Sequence, residues 1–266
     1  MKFALLLISL FILSSCGEYD PTTYPWSLAN DGIIGGKELF PQDEVSPYVV
    51  MTYNPDGNKI CTGTLIRENV ILTAAHCLSE KPDGLKIIFG VAPMTSKYVS
   101  RKSVSFIPHP SFRAPHAHDI ALIIFAGGLP PGFKPVEIAP EKFPLKEGYK
   151  FTAVGYGRTL GRTPSSPQDK QGMARLRSTH LAVTALSDDG RYFLIKQSSD
   201  AGVCSGDSGG PALMRYRNVN YIVGVLSAVV WSGQIKDGDT CADRARYMRV
   251  SGYADWINKS LKNLVQ

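Results

Sequence analysis

The sequence contains no internal repeat, no low-complexity tract and only five cysteines among its 266 residues. Charged residues make up 20% of the chain and hydrophobic residues 44%, close to globular averages, so a collagen-like, coiled-coil or largely disordered chain is excluded. The length is too great for a mini-protein stapled by disulfides. It allows one or two compact domains, each with its own hydrophobic core.

The N-terminus carries an apolar stretch that is too short to cross a bilayer. Lys2 precedes an apolar run over residues 3–13, which matches the core of a secretory signal. The run ends in Leu13-Ser14-Ser15-Cys16-Gly17, which resembles the bacterial lipobox, whose cysteine is diacylated and becomes the new N-terminus. We expect residues 1–16 to be a lipoprotein signal peptide ending in a lipidated Cys16. An ordinary signal peptide cut near Ser15 is the alternative.

Export has consequences for the remaining cysteines and for location. A lipidated Cys16 cannot form a disulfide, so four cysteines remain, and they can make two pairs in an oxidising compartment. We expect a periplasmic protein or an outer-membrane lipoprotein. Residues 17–32 are rich in Pro, Tyr, Asp and Asn without an apolar period, which indicates an extended tether or pro-segment.

Beyond residue 32, short apolar runs are broken about every dozen positions by Gly, Pro and Asp, a pattern typical of an all-β sandwich or barrel. The runs cover residues 48–53, 69–73, 86–89, 120–125, 150–154 and 221–226. One helix is predicted over residues 255–264, where Ile257, Leu261 and Leu264 recur at helical spacing. Residues 126–140 contain three Gly and four Pro, which indicates a linker between two similar β domains.

The strongest local indication of chemistry is Gly206-Asp207-Ser208-Gly209-Gly210-Pro211. A serine flanked by glycines keeps its hydroxyl and the nearby backbone amides uncovered, as a nucleophile and an oxyanion site require. The hexapeptide also satisfies the G-x-S-x-G elbow of α/β-hydrolases. That fold places its catalytic histidine after the serine, whereas the last histidine here is His180, so the α/β-hydrolase interpretation fails.

A histidine and an aspartate precede Ser208, in Thr73-Ala74-Ala75-His76-Cys77 and Ala117-His118-Asp119-Ile120-Ala121-Leu122. With these segments the sequence resembles the trypsin- and chymotrypsin-like serine proteases, which share the order His, Asp, Ser. Five further segments carry the resemblance: Ile33-Ile34-Gly35-Gly36, Cys61-Thr62-Gly63-Thr64-Leu65-Ile66, His109-Pro110-Ser111-Phe112, Gly155-Tyr156-Gly157 and Tyr253-Ala254-Asp255-Trp256-Ile257.

The resemblance implies an all-β fold with two six-stranded antiparallel Greek-key β-barrels and a C-terminal α-helix. Residues 33–135 would form the N-terminal barrel with the histidine and the aspartate. Residues 136–266 would form the C-terminal barrel with the serine and the closing helix. The resemblance also implies two disulfides, Cys61 with Cys77 and Cys204 with Cys241.

The resemblance further implies a Ser-His-Asp triad. Ser208 would attack the scissile carbonyl, His76 would act as general base and then as general acid, and Asp119 would orient the imidazole. The backbone N–H groups of Gly206 and Ser208 would hold the oxyanion. Glycine is required at position 206 because a Cβ there would crowd the bound carbonyl. Ser227 matches a serine that hydrogen-bonds the buried aspartate in this family.

The resemblance assigns the substrate pocket to Gly202, Val203, Ser227, Val229 and Ala245. Gly202 stands at the floor, where trypsin has an aspartate that selects Arg or Lys. Val229 and Ala245 stand where wide pockets have glycine, so we expect a narrow apolar slot and cleavage after small or medium aliphatic residues, as in elastase-like members. The alternative is that Asp239 or Asp243 reaches the pocket and restores trypsin-like specificity for Arg or Lys.

Activation in this family frees an N-terminal Ile whose ammonium pairs with the aspartate before the serine, and Ile33 and Asp207 match those positions. Gly32 departs from the Lys or Arg that trypsin-like activators require. Cleavage before Ile33 would also separate Cys16 from the catalytic unit. We therefore hypothesise an anchored zymogen that is released as a soluble protease.

We expect no cofactor and no bound metal. The histidines at 109, 116 and 118 lack an accompanying Cys or Glu and are typical of a surface loop. No acidic residue lies between Asp83 and Asp119, so a calcium loop is not predicted. Basic residues between positions 158 and 177 indicate a solvated loop rather than a nucleic-acid site.

Expected partners are protein or peptide substrates, and we expect a monomer. A catalytically silent, lipid-anchored binding module is the second alternative.

Overall fold

The structure is a computed structural model that describes residues 33–93, 96–113, 117–159, 161, 174–198, 200–230, 241 and 243–264. The predicted signal peptide, Cys16 and the predicted tether lie outside the described residues. In the described part, the chain consists mainly of β-strands with one α-helix near its C-terminus. No helix within those residues is both long and apolar enough to span a membrane.

The first barrel is closed by six antiparallel strands. They are β2 (Val49–Asn54), β3 (Lys59–Arg67), β4 (Val70–Thr73), β5 (Lys86–Phe89), β6 (Val99–Pro108) and β7 (Ala121–Phe125). Their spatial order is β2-β3-β4-β7-β6-β5, and β5 pairs back onto β2. Alternate residues of each strand face the same side of the sheet, so side chains such as Leu65, Ile71 and Phe89 form a buried cluster inside.

The second barrel is also closed by six antiparallel strands. They are β9 (Lys150–Gly155), β10 (Arg177–Leu186), β11 (Tyr192–Lys196), β12 (Pro211–Tyr216), β13 (Val219–Val230) and β14 (Arg244–Arg249). Their order is β10-β11-β14-β13-β12-β9, and β9 pairs with β10 to close the barrel. The rings of Phe193 and Tyr247 stack in its core with centroids 5.2 Å apart. A Cβ at Gly224 would lie 2.7 Å from the Phe193 ring, so glycine at this position lets the ring pack there.

The predicted fold class is therefore confirmed: two closed six-stranded barrels and the C-terminal helix α1 (Ala254–Asn263). Ile257 and Leu261 are buried as the helical spacing predicted. Leu264 is 40% exposed, because the helix ends at Asn263 and Leu264 is its C-cap.

Two short strands lie outside this barrel pattern. β1 (Lys37–Glu38) pairs with β10, so this N-terminal segment joins the second barrel, although it precedes the first barrel in sequence. β8 (Glu137–Ile138) lies within the predicted linker and pairs in parallel with β13. Both connections tie the ends of the first half of the chain to the second barrel.

Candidate active site

The loop between β11 and β12 contacts β3 of the first barrel. The backbone N–H of Thr62 donates to the Ser208 carbonyl oxygen at 2.8 Å, and the Thr62 hydroxyl donates to the Gly206 carbonyl oxygen at 2.9 Å. Ser208 is thereby positioned by residues of both barrels. This contact places the serine loop beside the ends of β3 and β4.

His76 and Asp119 are brought together by neighbouring strands. His76 follows the end of β4, Asp119 precedes the start of β7, and Thr73 of β4 pairs with Ala121 of β7. The backbone N–H of His76 donates to Asp119 Oδ1 at 2.9 Å, and its Nδ1 lies 2.7 Å from Asp119 Oδ2. A donor at Nδ1 leaves Nε2 of a neutral imidazole as the proton acceptor.

Asp119 is fully buried and ionised near neutral pH. Burial raises the pKa of its carboxyl group, but the hydrogen bonds and charge of His76, with a hydrogen bond from the Ser227 hydroxyl, lower that pKa to about 2. The Ser227 hydroxyl donates to Oδ2 at 2.7 Å. The carboxylate therefore accepts three hydrogen bonds, which compensate its removal from water.

Ser208 and His76 line the same cavity, whose volume is about 210 Å³. The backbone N–H of Gly209 donates to the Leu226 carbonyl oxygen at 2.7 Å, and the Leu226 N–H donates to the Gly210 carbonyl oxygen at 2.9 Å. These bonds fix the serine loop against β13. The structure thus brings Ser208, His76 and Asp119 into one site at the junction of the two barrels.

Gly206 and Gly209 flank this serine with backbone conformations that favour glycine. Gly206 has φ of +100° and Gly209 has φ of +80°. A Cβ at Gly206 would lie 2.9 Å from the Gly157 Cα, and one at Gly209 would collide with Thr73 and Thr62. The steric requirement at Gly206 is therefore the Gly157 backbone, and not only the bound carbonyl that the sequence interpretation invoked.

Both disulfides implied by the resemblance are present. Cys61 pairs with Cys77, whose Cα atoms are 6.1 Å apart, and this bond lies next to His76. Cys204 pairs with Cys241, with Cα atoms 5.4 Å apart, beside the cavity at Ser208. Each bond braces one side of the site.

Comparison with known proteins agrees with this geometry. A family model described as Trypsin matches residues 33–257. The chain belongs to the trypsin family. It is therefore a serine endopeptidase, which agrees with the order His, Asp, Ser and with the two barrels.

Curated relatives from animals and bacteria match over most of their length. Granzyme M of Rattus norvegicus is 28% identical over 256 residues, covering 88% of this chain and 92% of the relative. Granzyme M of Homo sapiens is 26% identical over 243 residues, with 85% and 88% covered. Trypsin of Saccharopolyspora erythraea is 26% identical over 242 residues, with 86% and 98% covered.

The cavity beside Ser208 is lined by only part of the residue set predicted for the substrate pocket. Ser227 and Val229 line the 210 Å³ cavity, whereas Gly202, Val203 and Ala245 are buried and are not part of its lining. The described lining residues that the sequence interpretation did not assign to the pocket are Cys204, Ser205, Leu226 and Ala228. All four are chain neighbours of residues that were predicted, so extending each motif by one or two positions finds them.

Asp239 and Asp243 are the alternative specificity residues. Asp239 lies outside the described residues. The Asp243 carboxylate is 3.6 Å from Arg244 Nε, and the Asp243 carbonyl oxygen accepts a hydrogen bond from the Gln197 backbone N–H at 2.8 Å. Asp243 is not part of the described cavity lining.

The residues predicted to pair on activation, Ile33 and Asp207, are both buried. Asp207 accepts backbone hydrogen bonds from Gly157 at 2.7 Å and Cys204 at 2.9 Å. Burial raises the pKa of Asp207 to about 7, although those hydrogen bonds and the Arg177 charge act in the opposite direction. A Cβ at Gly155 or Gly157 would collide with this carboxylate, which explains the glycines of the Gly155-Tyr156-Gly157 motif.

Lys59 is a site neighbour that the sequence interpretation missed. Its Nζ donates to the His76 carbonyl oxygen at 2.7 Å. Burial lowers the pKa of this ammonium group, while the charge of Asp119 raises it. No motif singles out Lys59, although it lies two residues before Cys61, inside a strand that carries family residues.

Potential metal ligands gather in one place within the described residues, at Cys61, Cys77 and His76. Both cysteine sulfurs are used in the disulfide, so this group does not offer three ligands.

His109 and His118 stack with ring centroids 4.9 Å apart, and the ring of Trp256 lies 5.1 Å from that of His109. The third histidine of that loop, at position 116, lies outside the described residues.

Proposed function

We propose that this trypsin-family endopeptidase hydrolyses peptide bonds through a triad of Ser208, His76 and Asp119. The observation that carries the proposal is the 2.7 Å contact between His76 Nδ1 and Asp119 Oδ2, beside a cavity that Ser208 also lines. Together these residues supply a nucleophile, a base and a group that orients the base.

The reaction proceeds in two steps. His76 Nε2 accepts the Ser208 hydroxyl proton as Oγ bonds to the scissile carbonyl carbon, and the resulting imidazolium then protonates the leaving amine. Water repeats the sequence on the acyl-enzyme and regenerates Ser208. The ionised Asp119 stabilises the imidazolium, because its pKa of about 2 keeps the carboxylate charged throughout.

The oxyanion of each tetrahedral intermediate accepts hydrogen bonds from the backbone N–H groups of Gly206 and Ser208. The positive φ of Gly206 supports this assignment, because it sets the direction of the Gly206 N–H through a backbone conformation that a side chain would disfavour. Donors that are already oriented require no reorganisation during the reaction.

Cleavage occurs after small or medium aliphatic residues. Support comes from the cavity volume of about 210 Å³ and from its described lining, which includes Val229 and Leu226 and no acidic side chain. A slot whose described lining holds no carboxylate does not compensate the charge of Arg or Lys. Profiling with a peptide library tests this specificity, and strong Arg-selective cleavage would overturn it.

Cleavage between Gly32 and Ile33 activates the enzyme. The new Ile33 ammonium pairs with Asp207, and the buried position of both residues supports this pairing.

Disulfides and the family fold indicate an exported protein. In our proposal the chain is anchored through Cys16 until cleavage releases a soluble monomeric protease. Active enzyme with residues 17–32 still attached, found by N-terminal sequencing, would refute this step.

A single enzymatic experiment separates the proposed protease from a silent binding module. Chain beginning at Ile33 is assayed with peptides that carry Ala, Val, Leu or Arg before the scissile bond, beside Ser208→Ala as a matched control. We expect hydrolysis by the parent chain and at least a 10⁵-fold loss in the variant. Equal turnover by both proteins would remove Ser208 from the mechanism.

A further inference from the structure

Gln197 lies directly after β11 and is a buried polar residue beneath the proposed substrate pocket. Its exposed fraction is 5%, and its amide is uncharged. The triad does not use it, and no family motif of the sequence includes it. A buried amide needs hydrogen-bond partners, so its contacts indicate which chain segments it holds.

The Gln197 side chain bridges two chain segments. Oε1 accepts a hydrogen bond from the Val203 N–H at 2.5 Å, and Nε2 donates to the Cys241 carbonyl oxygen at 2.6 Å. The Gln197 backbone N–H donates to the Asp243 carbonyl oxygen at 2.8 Å. The side chain therefore has a fixed position next to the Cys204–Cys241 disulfide.

The same side chain occupies the space in front of Gly202. A Cβ built on Gly202 would lie 2.9 Å from Gln197 Oε1 and 3.3 Å from its Cβ and Cδ. Oε1 cannot move aside without losing its bond to Val203. The volume into which a floor residue at position 202 would project is thus filled by the amide of Gln197.

The extent of the cavity agrees with this arrangement. The 210 Å³ cavity is lined at Cys204, Ser205 and the 226–229 segment of β13, and its described lining does not include Gly202, Ala245 or Gln197 itself. Both of those residues are buried and lie on the side where Gln197 packs. The pocket is therefore shallower than its predicted residue set implies.

We infer that Gln197 is a specificity-determining residue that limits the depth of the substrate pocket by filling the space between its described lining and Gly202. Its amide limits the pocket to short side chains and brings no negative charge near a basic one. This inference rests on the proposed protease function and names the residue that sets its specificity. It also explains why Gly202 alone does not open a deep pocket.

The alternative role for Gln197 is bracing without any effect on depth. Three substitutions separate the two roles. Gln197→Ala removes both the filling volume and the side-chain hydrogen bonds, whereas Gln197→Met keeps the volume and loses the bonds. Gln197→Glu keeps the volume and adds a carboxylate at the floor. Gln42→Ala, at an exposed glutamine, is the matched control.

The measured quantity is the ratio of kcat/KM for peptides with Leu and with Ala before the scissile bond, on chain beginning at Ile33. We expect Gln197→Ala to raise this ratio about tenfold or more, because added pocket depth admits further methylenes and each changes the rate by at least that factor. Gln197→Met and Gln42→Ala should stay within about twofold of the parent ratio. Gln197→Glu should gain cleavage after Lys or Arg.

Two results would overturn the inference. One is an unchanged Leu-to-Ala ratio in folded Gln197→Ala, even if all rates fall together. The other is an equal shift in Gln197→Ala and Gln197→Met, which would assign the effect to lost bracing. If Gln197→Ala does not fold, Gln197→Asn shortens the side chain by one methylene and should raise the ratio in the same direction; an unchanged ratio there also overturns the inference.

Failure of the proposed function is distinguishable in the same experiment. A parent chain that hydrolyses none of the peptides would refute the protease proposal itself. A parent chain that hydrolyses the peptides but prefers Arg would leave the protease proposal standing and would refute both the aliphatic specificity and the inference about Gln197.

Discussion

The Ser227 hydroxyl donates a 2.7 Å hydrogen bond to Oδ2 of Asp119, across the junction between the two barrels. Ser227 belongs to β13 of the second barrel, and Asp119 lies two residues before the start of β7 of the first. Both side chains are buried. The bond therefore couples the position of the proposed orienting carboxylate to the strand that lines the substrate cavity.

Ser227→Ala should weaken both stability and the ionised state of Asp119. A hydrogen bond to a charged group contributes about 1.5–3 kcal/mol, so urea unfolding at pH 7 should show a loss of that size. Since the Ser227 bond lowers the pKa of Asp119, that pKa should rise from about 2 toward its ordinary value. In the parent chain, the lowered pKa of Asp119 contributes its whole share of the unfolding free energy above about pH 4, and this share is lost as pH falls toward 2. The variant has a smaller share to lose, so its unfolding free energy should fall less than that of the parent over this range. Identical acid unfolding curves for parent and variant would contradict the assignment.

Asp119→Asn should lower kcat by about 10⁴-fold with little change in fold. An asparagine amide does not keep the proton of His76 on Nδ1 in the way a carboxylate does, so Nε2 is no longer available as the base. The check is a kcat measurement together with circular dichroism of both proteins. A folded variant within tenfold of the parent kcat would rule out this role for Asp119.

Asp207→Asn should stabilise the uncleaved chain at alkaline pH and inactivate the cleaved one. Burial raises the pKa of Asp207 to about 7, so its stabilising contribution is present below about pH 4 and is lost as pH rises through 7. In the uncleaved chain, Ile33 has an uncharged peptide nitrogen that cannot compensate the carboxylate. Thermal melts at pH 5 and pH 8 test this, and the gain from the substitution should be larger at pH 8. A larger gain at pH 5 would reverse the sign and contradict it.

His118→Asn should reduce the loss of stability between pH 7 and pH 5. Burial lowers the pKa of His118, with the Arg191 charge acting in the same direction and Asp189 opposing it. The unprotonated His118 contributes its whole share of the unfolding free energy above the pKa that histidine has in the unfolded chain, about 6.5. This share declines as pH falls below that value. His118 has φ of +51°, a conformation that Asn also tolerates, so the substitution avoids backbone strain. His109 and Tyr253 pack against the same ring. Thermal melts of parent and variant at pH 7 and pH 5 test the prediction, and an equal fall in Tm for both proteins would contradict it.

The parts of the site that could be predicted from sequence are those with a local motif. His76, Asp119 and Ser208 stand in short segments whose residue types carry the chemistry, and the two barrels followed from the family resemblance. The six apolar runs each coincide with a strand of the structure. Chain order alone was enough to reject the α/β-hydrolase interpretation.

Strands without a regular apolar pattern were missed. β6 is mostly exposed, and in β14 the apolar residues Ala245 and Tyr247 alternate with Arg244 and Arg246 over only four positions, the shortest alternation that predicts a half-buried strand. Their pairing is determined by neighbours far away in sequence, such as β7 for β6. Tertiary context of this kind overrides local propensity.

The pocket floor could not be predicted for a related reason. Gln197 acts on Gly202 through a contact that depends on the conformation of the turn between them and on Cys241, 44 residues later. A motif comparison identifies Gly202 by its distance from Ser208, but it does not show what fills the space in front of it. The structure adds this information because it records the position of the amide.

The central claim is that His76 activates Ser208, and covalent labelling tests it most directly. Chain beginning at Ile33 is treated with a serine-directed phosphonate, and the modified residue is located by peptide mass mapping, beside His76→Ala of equal thermal stability. We predict one adduct, on Ser208, formed at least 10³-fold faster in the parent than in the variant. A folded parent chain that forms no adduct, or that is modified at a different serine, would contradict the account.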